Sequence, residues 1–236
     1  MANKKISFHF QNKKKTSYSW NNIKRMKLEE FLKITANSPI VSVKMMEKLG
    51  YESNSLRRQL HNWREKGYVV KLKKGLYASL GIEKKKSFSS FHVASILYGD
   101  NSYISLESAL SYYGLIPEAV YNTISVSTSK TKTFETDLSN FIYKHVKKEL
   151  FDYFLIKKDE YSAYYRIAEA EKALLDYIYL KYKEEDEISE EYFDEALRLQ
   201  NYEVLDIAKL EELESLFKMK KISQAVKVLT RMIKNA

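Results

Sequence analysis

The sequence predicts an α+β protein. A small N-terminal module of helices closed by a two-stranded hairpin precedes a mixed α/β domain with a helical C-terminal tail. Three observations carry this. Apolar residues recur at helical spacing from Met26 and switch to an extended pattern after Gly67. Short β-branched and aromatic runs then alternate with helical stretches between 103 and 167, and the spacing is helical from 168 onward. Only 2 prolines and 6 glycines occur in 236 residues, so regular structure dominates over linker.

The elements follow in chain order. Leu28, Phe31, Leu32 and Ile34 form the first apolar stripe, and Pro39 interrupts the chain. Ser42 is placed to cap a short helix that carries Val43, Met46 and Leu49 and stops at Gly50. Ser53 or Asn54 is expected to cap the next helix, which runs to about 66 and ends at Gly67. Residues 68–72 read as a strand, 73–75 as a turn and 76–78 as the return strand. This order is the layout of a winged helix-turn-helix over 26–80. The polar stretch 81–90 reads as a linker, and 91–236 as the second domain. Within it, helices are expected at 89–97, 106–113, 168–183, 189–199, about 205–217, and 223–233. Strands are expected at 103–105, 123–127, 141–146, 150–156 and 164–167. Residues 1–25 form a basic arm in which Ile6, Phe8 and Phe10 alternate with polar residues. Disorder, an added edge strand and phosphate tracking are all open to it.

Charge divides the chain. Residues 1–90 hold 21 lysines and arginines against 6 acidic residues, a net of +15, and residues 91–236 hold 19 against 25, a net of −6. A basic module joined to an acidic one fits a polyanion-binding unit fused to a unit with another task. A solvated lysine-rich surface has the same composition, because charge supplies affinity without recognition geometry. The absence of cysteine excludes disulfide scaffolds, thiolate zinc sites, thiol nucleophiles and iron–sulfur clusters. No apolar run reaches the ~18 residues of a spanning helix, and the first residues lack a signal-peptide core, so a cytoplasmic location is expected.

The helix at 53–66 meets both demands on a recognition helix. Leu56, Leu60 and Trp63 lie at i, i+4 and i+7 and supply a face to pack. Asn54, Arg57, Arg58, His61 and Arg64 lie on the other side. Arginine can fork onto guanine O6 and N7, and asparagine onto adenine N6 and N7. Lys71, Lys73 and Lys74 on the hairpin are placed to meet phosphate. Double-stranded DNA is the expected partner. One such module reads few base pairs, so two copies on a repeated site are expected.

The second half offers no convergent catalytic set. His9, His61, His92 and His145 are scattered, and His145 reads as structural. Ser127 and Lys130 match S-x-x-K without its companion motifs and read as a loop. Glu169 and Asp176, seven apart, share a helix face with Glu171 nearby. Acids in a first helical turn are favoured by the helix dipole without any metal. The expectation is therefore no enzyme, no metal and no cofactor.

Three stretches carry a resemblance. ISLESALSYYGLIP at 104–117, the strand Thr123–Ser127, and IAEAEKALLD at 167–176 resemble the AbiEi antitoxins of bacterial abortive-infection toxin–antitoxin systems. Gly67-Tyr68 and the Lys74-Gly75-Leu76-Tyr77 wing are similar to that family's N-terminal domain. The resemblance spans about 26–200 and leaves out the basic arm. It implies autorepression through operator DNA, usually at inverted repeats. It also implies a C-terminal domain that counteracts a nucleotidyltransferase-like toxin without a stable complex. It brings no catalytic residue. From the residues themselves, Ala109, Leu110 and Gly114 read as close helix packing and a C-cap, and Glu171-Lys172 as a polar edge beside a core stripe. A stand-alone winged-helix regulator, or a nuclease or transferase targeted to DNA, are the competing classes.

Overall fold

The computed structural model describes residues 24–182 and 188–236. The alternating segment of the basic arm and the acidic run at 184–187 lie outside the described residues. The fold is mixed α+β, with two sheets among the described residues.

The N-terminal unit builds from α1 (Leu28–Thr35), β1 (Ile40–Ser42), α2 (Val43–Lys48), α3 (Ser53–Glu65), β2 (Val69–Lys73) and β3 (Leu76–Ser79). Ser42 caps α2 as its spacing predicts, its hydroxyl accepting from the Met45 N–H at 3.1 Å. The cap of α3 differs from expectation. Glu52, one residue earlier, accepts from the N–H groups of Asn54 at 2.8 Å and Ser55 at 2.5 Å. Its longer side chain reaches forward to the orphan donors, and its charge suits the positive end of the helix. Those bonds hold the Glu52 carboxyl below its ordinary pKa. Gly67, at φ +75°, stops the helix in a conformation that an L side chain resists.

The expected hairpin is part of a three-stranded antiparallel sheet ordered β1-β3-β2. Strand β1 has three residues, too short for a period to show in sequence. Phe31, Met46, Leu56, Leu60, Trp63 and Val69 form the unit's core, with Phe31 and Trp63 ring centroids 4.9 Å apart. Burying Leu56 and Leu60 contributes about 2 kcal/mol each, and it fixes which side of α3 faces outward.

The second unit centres on a six-stranded mixed sheet ordered β6-β7-β5-β4-β9-β8. Its strands are β4 (Ser102–Ile104), β5 (Thr123–Ser127), β6 (Lys132–Glu135), β7 (Asn140–His145), β8 (Phe154–Lys158) and β9 (Tyr164–Ala168). Helices α4 (Ser90–Tyr98), α5 (Leu106–Tyr112), α6 (Ala170–Lys181), α7 (Ile207–Phe217) and α8 (Lys220–Asn235) pack around it. Three expectations change. The strand expected at 150–156 starts only at Phe154, because Lys148–Leu150 forms a 3-10 turn and Tyr153 sits at φ +57°. The helix expected at 189–199 contains a single π-helical turn at Tyr192–Ala196, and Arg198 and Asn201 at positive φ break the chain after it. The edge strand β6 has an exposed, polar pattern that carries no strand signal.

The two units share apolar contacts. Val69 faces the N-terminal core, whereas Val70, Leu72, Leu76 and Ala78 join Phe88, Val93, Ala94 and Leu97 in the larger core. The linker stretch contributes to this joint: Phe88 is buried, and Ser89 caps α4 by accepting from the His92 N–H at 3.1 Å.

Glu171 and Lys172 do not form a polar edge. Lys172 and Asp176 are wholly buried and paired across one turn of α6. Lys172 Nζ donates to the Tyr103 hydroxyl at 2.7 Å, which donates to Asp176 Oδ2 at 3.0 Å. Ser105 Oγ also donates to Asp176 Oδ2, at 2.8 Å. The ammonium lies 5.1 Å from the centroid of the Phe217 ring. Burial, then the adjacent Asp176 charge, pushes the Tyr103 phenol well above its ordinary pKa. The network ties β4 to α6, and so joins two of the stretches that carry the resemblance. Lys172→Met strands the buried carboxylate and should cost about 3–5 kcal/mol. Lys172→Met with Asp176→Leu should recover much of that loss. Urea unfolding of the two variants measures both, and a single-variant loss under about 1 kcal/mol would show that the pair is not buried.

Candidate nucleic-acid interface

Helix α3 presents its two chemistries on opposite sides. Leu56, Gln59, Leu60 and Trp63 are buried. Asn54, Arg57, Arg58 and His61 are all exposed, and their i, i+3, i+4, i+7 spacing lines them along one face. Arg57 Nε donates to Ser53 Oγ at 3.3 Å, which leaves its terminal nitrogens outward of that bond. Ordinary helix amphipathicity therefore produces four side chains able to bond base edges or phosphates, on one rod with a rigid apolar backing.

Four further candidates lie on the flank of α3 and on the hairpin, and they part company. Lys71 and Lys74 are exposed. Lys73 turns inward, contrary to a phosphate-facing role. Its ammonium donates to the Leu97 carbonyl at 2.8 Å and lies 5.7 Å from the centroid of the Phe134 ring. The cause is local. The register of β2 against β3 slips between Lys71 and Lys73, so Lys73 pairs with Leu76, and such a bulge re-aims the side chain. Burial, reinforced by Lys132, lowers the Lys73 pKa.

Arg64 is held by the second unit. Its Nε bonds Asp137 Oδ2 at 2.7 Å and its Nη2 bonds Oδ1 at 2.8 Å. The Lys71 N–H donates to Oδ2 of the same carboxylate at 2.9 Å. The Arg64 bond lowers the Asp137 pKa and raises that of Arg64.

Other exposed cations of this unit were missed in the sequence. Lys44 is exposed in the first turn of α2. Arg25, Lys27, Gln59, Asn62, Trp63 and Lys66 line a groove of about 520 Å³ beside α3. Lys66 follows Asn62 by one turn, so its place on the flank was legible from helical spacing. Arg25 and Lys27 reach the groove only through the packing of Met26 on α3, where the Gln59 side chain donates to the Met26 carbonyl.

The remaining chemical candidates each bond other groups of the chain. Ser127 is buried, and its hydroxyl donates to the Asn101 carbonyl at 2.7 Å and accepts from the Ser129 N–H at 3.0 Å. His92 bonds the Tyr164 carbonyl at 2.9 Å, and His145 the Ser129 carbonyl at 3.0 Å. Glu169 pairs with Lys209, and Glu171 accepts from the Asp206 N–H at 2.9 Å, so both anchor the helical tail to α6. Asp176 belongs to the buried network. No group of three or more acidic or histidine side chains poised for a metal occurs among the described residues. No helix among them is long and apolar enough to cross a membrane.

Lys73 and Lys74 should therefore behave differently. Lys73→Ala removes a contact to α4 and should lower the melting temperature with less than twofold effect on duplex affinity. Lys74→Ala should lower affinity with the melting temperature unchanged. Thermal unfolding beside fluorescence anisotropy on labelled duplex checks both, and an equal affinity loss would return Lys73 to the interface. A scan of the sequence against protein-family models finds no match, and a search of curated proteins finds no relative.

Proposed function

We propose that residues 26–80 act as a winged helix-turn-helix that seats α3 in the major groove of operator DNA. The chain is then an autorepressing antitoxin whose second unit counteracts a nucleotidyltransferase-like toxin. One observation carries the DNA half: Asn54, Arg57, Arg58 and His61 are exposed along a single face of a helix whose other face is locked in the core. Lys71 and Lys74 extend the positive surface onto the hairpin, and Lys44 onto the preceding helix. The stretches at 104–117 and 167–176 support the antitoxin half through their resemblance to the AbiEi family. Two copies on an inverted repeat would present two such helices to successive major grooves.

The joint between the units supports a second reading, a stand-alone regulator that senses a small ligand. A cleft of about 440 Å³ lies between the 36–40 loop and Phe88, His92, Ile96 and the 161–163 turn. A molecule held there would touch both units. Rescue of growth separates the two readings. Expression of the full chain should restore growth to cells making the toxin encoded beside it. Failure to rescue, with operator binding retained, leaves the regulator.

DNA binding itself should weaken steeply with salt. Neutralising about six phosphates gives a slope of log K against log salt of about −5, and a flat salt response would dismiss the interface. Arg57→Ala and Arg58→Ala should each reduce discrimination between operator and random duplex by about tenfold, at about 1–3 kcal/mol per base contact. Lys74→Ala should weaken both duplexes alike. Equal losses on both duplexes for the arginine variants would remove them as base readers.

A further inference from the structure

The Arg64–Asp137 contact has the form of an anion site. One carboxylate receives two parallel bonds from a guanidinium, at 2.7 and 2.8 Å, and a third from the Lys71 main-chain N–H at 2.9 Å. A guanidinium fork beside a main-chain N–H is also a donor set that proteins use to hold phosphate oxygens. The site adjoins the exposed basic face: Arg64 lies three residues beyond His61 and seven beyond Arg57, so all three share one side of α3. Lys71 itself carries an exposed ammonium beside it.

The carboxylate comes from the turn between β6 and β7, in the other unit. That turn is internally braced, with Thr136 Oγ1 donating to the Ser139 carbonyl at 2.8 Å and accepting from the Leu138 N–H at 3.1 Å. The pair stays open to water, with side-chain exposures of 39% for Arg64 and 26% for Asp137. A solvent-accessible pair of this kind is held weakly enough to exchange partners.

We propose that Arg64 and the Lys71 N–H form a DNA-phosphate site, and that Asp137 occupies it in the free protein as a built-in competitor. A phosphodiester carries one negative charge over two oxygens, as a carboxylate does, so it can take the carboxylate's place on the same donors. While Asp137 sits there, the second unit cancels one cation of the recognition surface. A partner that displaced the 136–139 turn would release Arg64 and strengthen binding to DNA. The inference rests on the DNA-binding reading above.

The test uses the full chain and a labelled duplex across a salt series. Asp137→Asn keeps the shape and removes the charge. It should tighten binding about two- to fivefold and steepen the log K against log salt slope by about 0.9. The double variant Arg64→Ala with Asp137→Asn should return to within twofold of the wild type. Glu135→Gln, which neutralises an exposed acid two residues away, should give a smaller gain than Asp137→Asn. Thermal unfolding verifies that each variant is folded, and Asp137→Ser replaces Asp137→Asn if that variant is not. Unchanged or weaker binding by Asp137→Asn overturns the competitor role. A gain that persists in the double variant overturns the Arg64 site, because removal of any nearby negative charge then explains it. If neither the wild type nor any variant binds duplex, the DNA-binding reading falls as well, which distinguishes that failure from the other two.

Discussion

Strand β2 serves two hydrophobic cores at once, and the arrangement of the molecule depends on it. Val69 packs under α3, while Val70 and Leu72 pack against Val93, Ala94 and Leu97 in the second unit. Side chains of a strand alternate between faces, so five residues can join two cores without breaking the main chain. The hairpin that follows α3 is consequently part of the second unit's surface. Separation of the units would expose Val70, Leu72, Leu76 and Phe88 together.

That constraint sets the character of the basic surface. Helix α3 is oriented by Leu56, Leu60 and Trp63 against the N-terminal core, and through β2 and Asp137 it is also registered against the six-stranded sheet. Asn54, Arg57, Arg58 and His61 remain free of that restraint on the outer face. Arg64 and Lys73, which the same positive charge would assign to that surface, are held by the acidic unit instead. The edge strands β2 and β6 meet at this point, where the Asp137 N–H faces the Lys71 carbonyl at 3.4 Å and the Asp137 carboxylate takes the Lys71 N–H. Each edge is thereby partly covered, which limits pairing with other chains.

The second unit is organised around a buried charge. Lys172 and Asp176 satisfy one another and are completed by Tyr103 and Ser105, so β4 and α6 are joined by polar bonds inside an apolar core. Such a network tolerates few substitutions, because loss of any member leaves an unpaired polar group where water cannot reach. It accounts for lysine and aspartate at those positions on architectural grounds. The sequence pattern placed Lys172 at an edge because lysine is rarely buried, and its buried partners Tyr103 and Asp176 are what make the exception.

Local chemistry was legible from the residues. The spacing of Leu56, Leu60 and Trp63 gave the buried face of α3 and, by difference, the outward placement of Asn54, Arg57, Arg58 and His61. Ser42 marked the start of α2, and Gly67 the end of α3. These are properties of one helix turn or one cap, and they depend on neighbours three or four residues away. Tertiary structure alone decided the fates of Arg64, Lys73, Lys172 and Asp176. Arg64 and Lys73 are set by residues 73 and 24 positions distant, and the pairing of Lys172 with Asp176, though one turn apart, is enclosed by residues about 70 positions away. A charged side chain declares its sign in the sequence, but whether it faces water, a carbonyl or a counter-charge is settled only by which distant segment packs beside it.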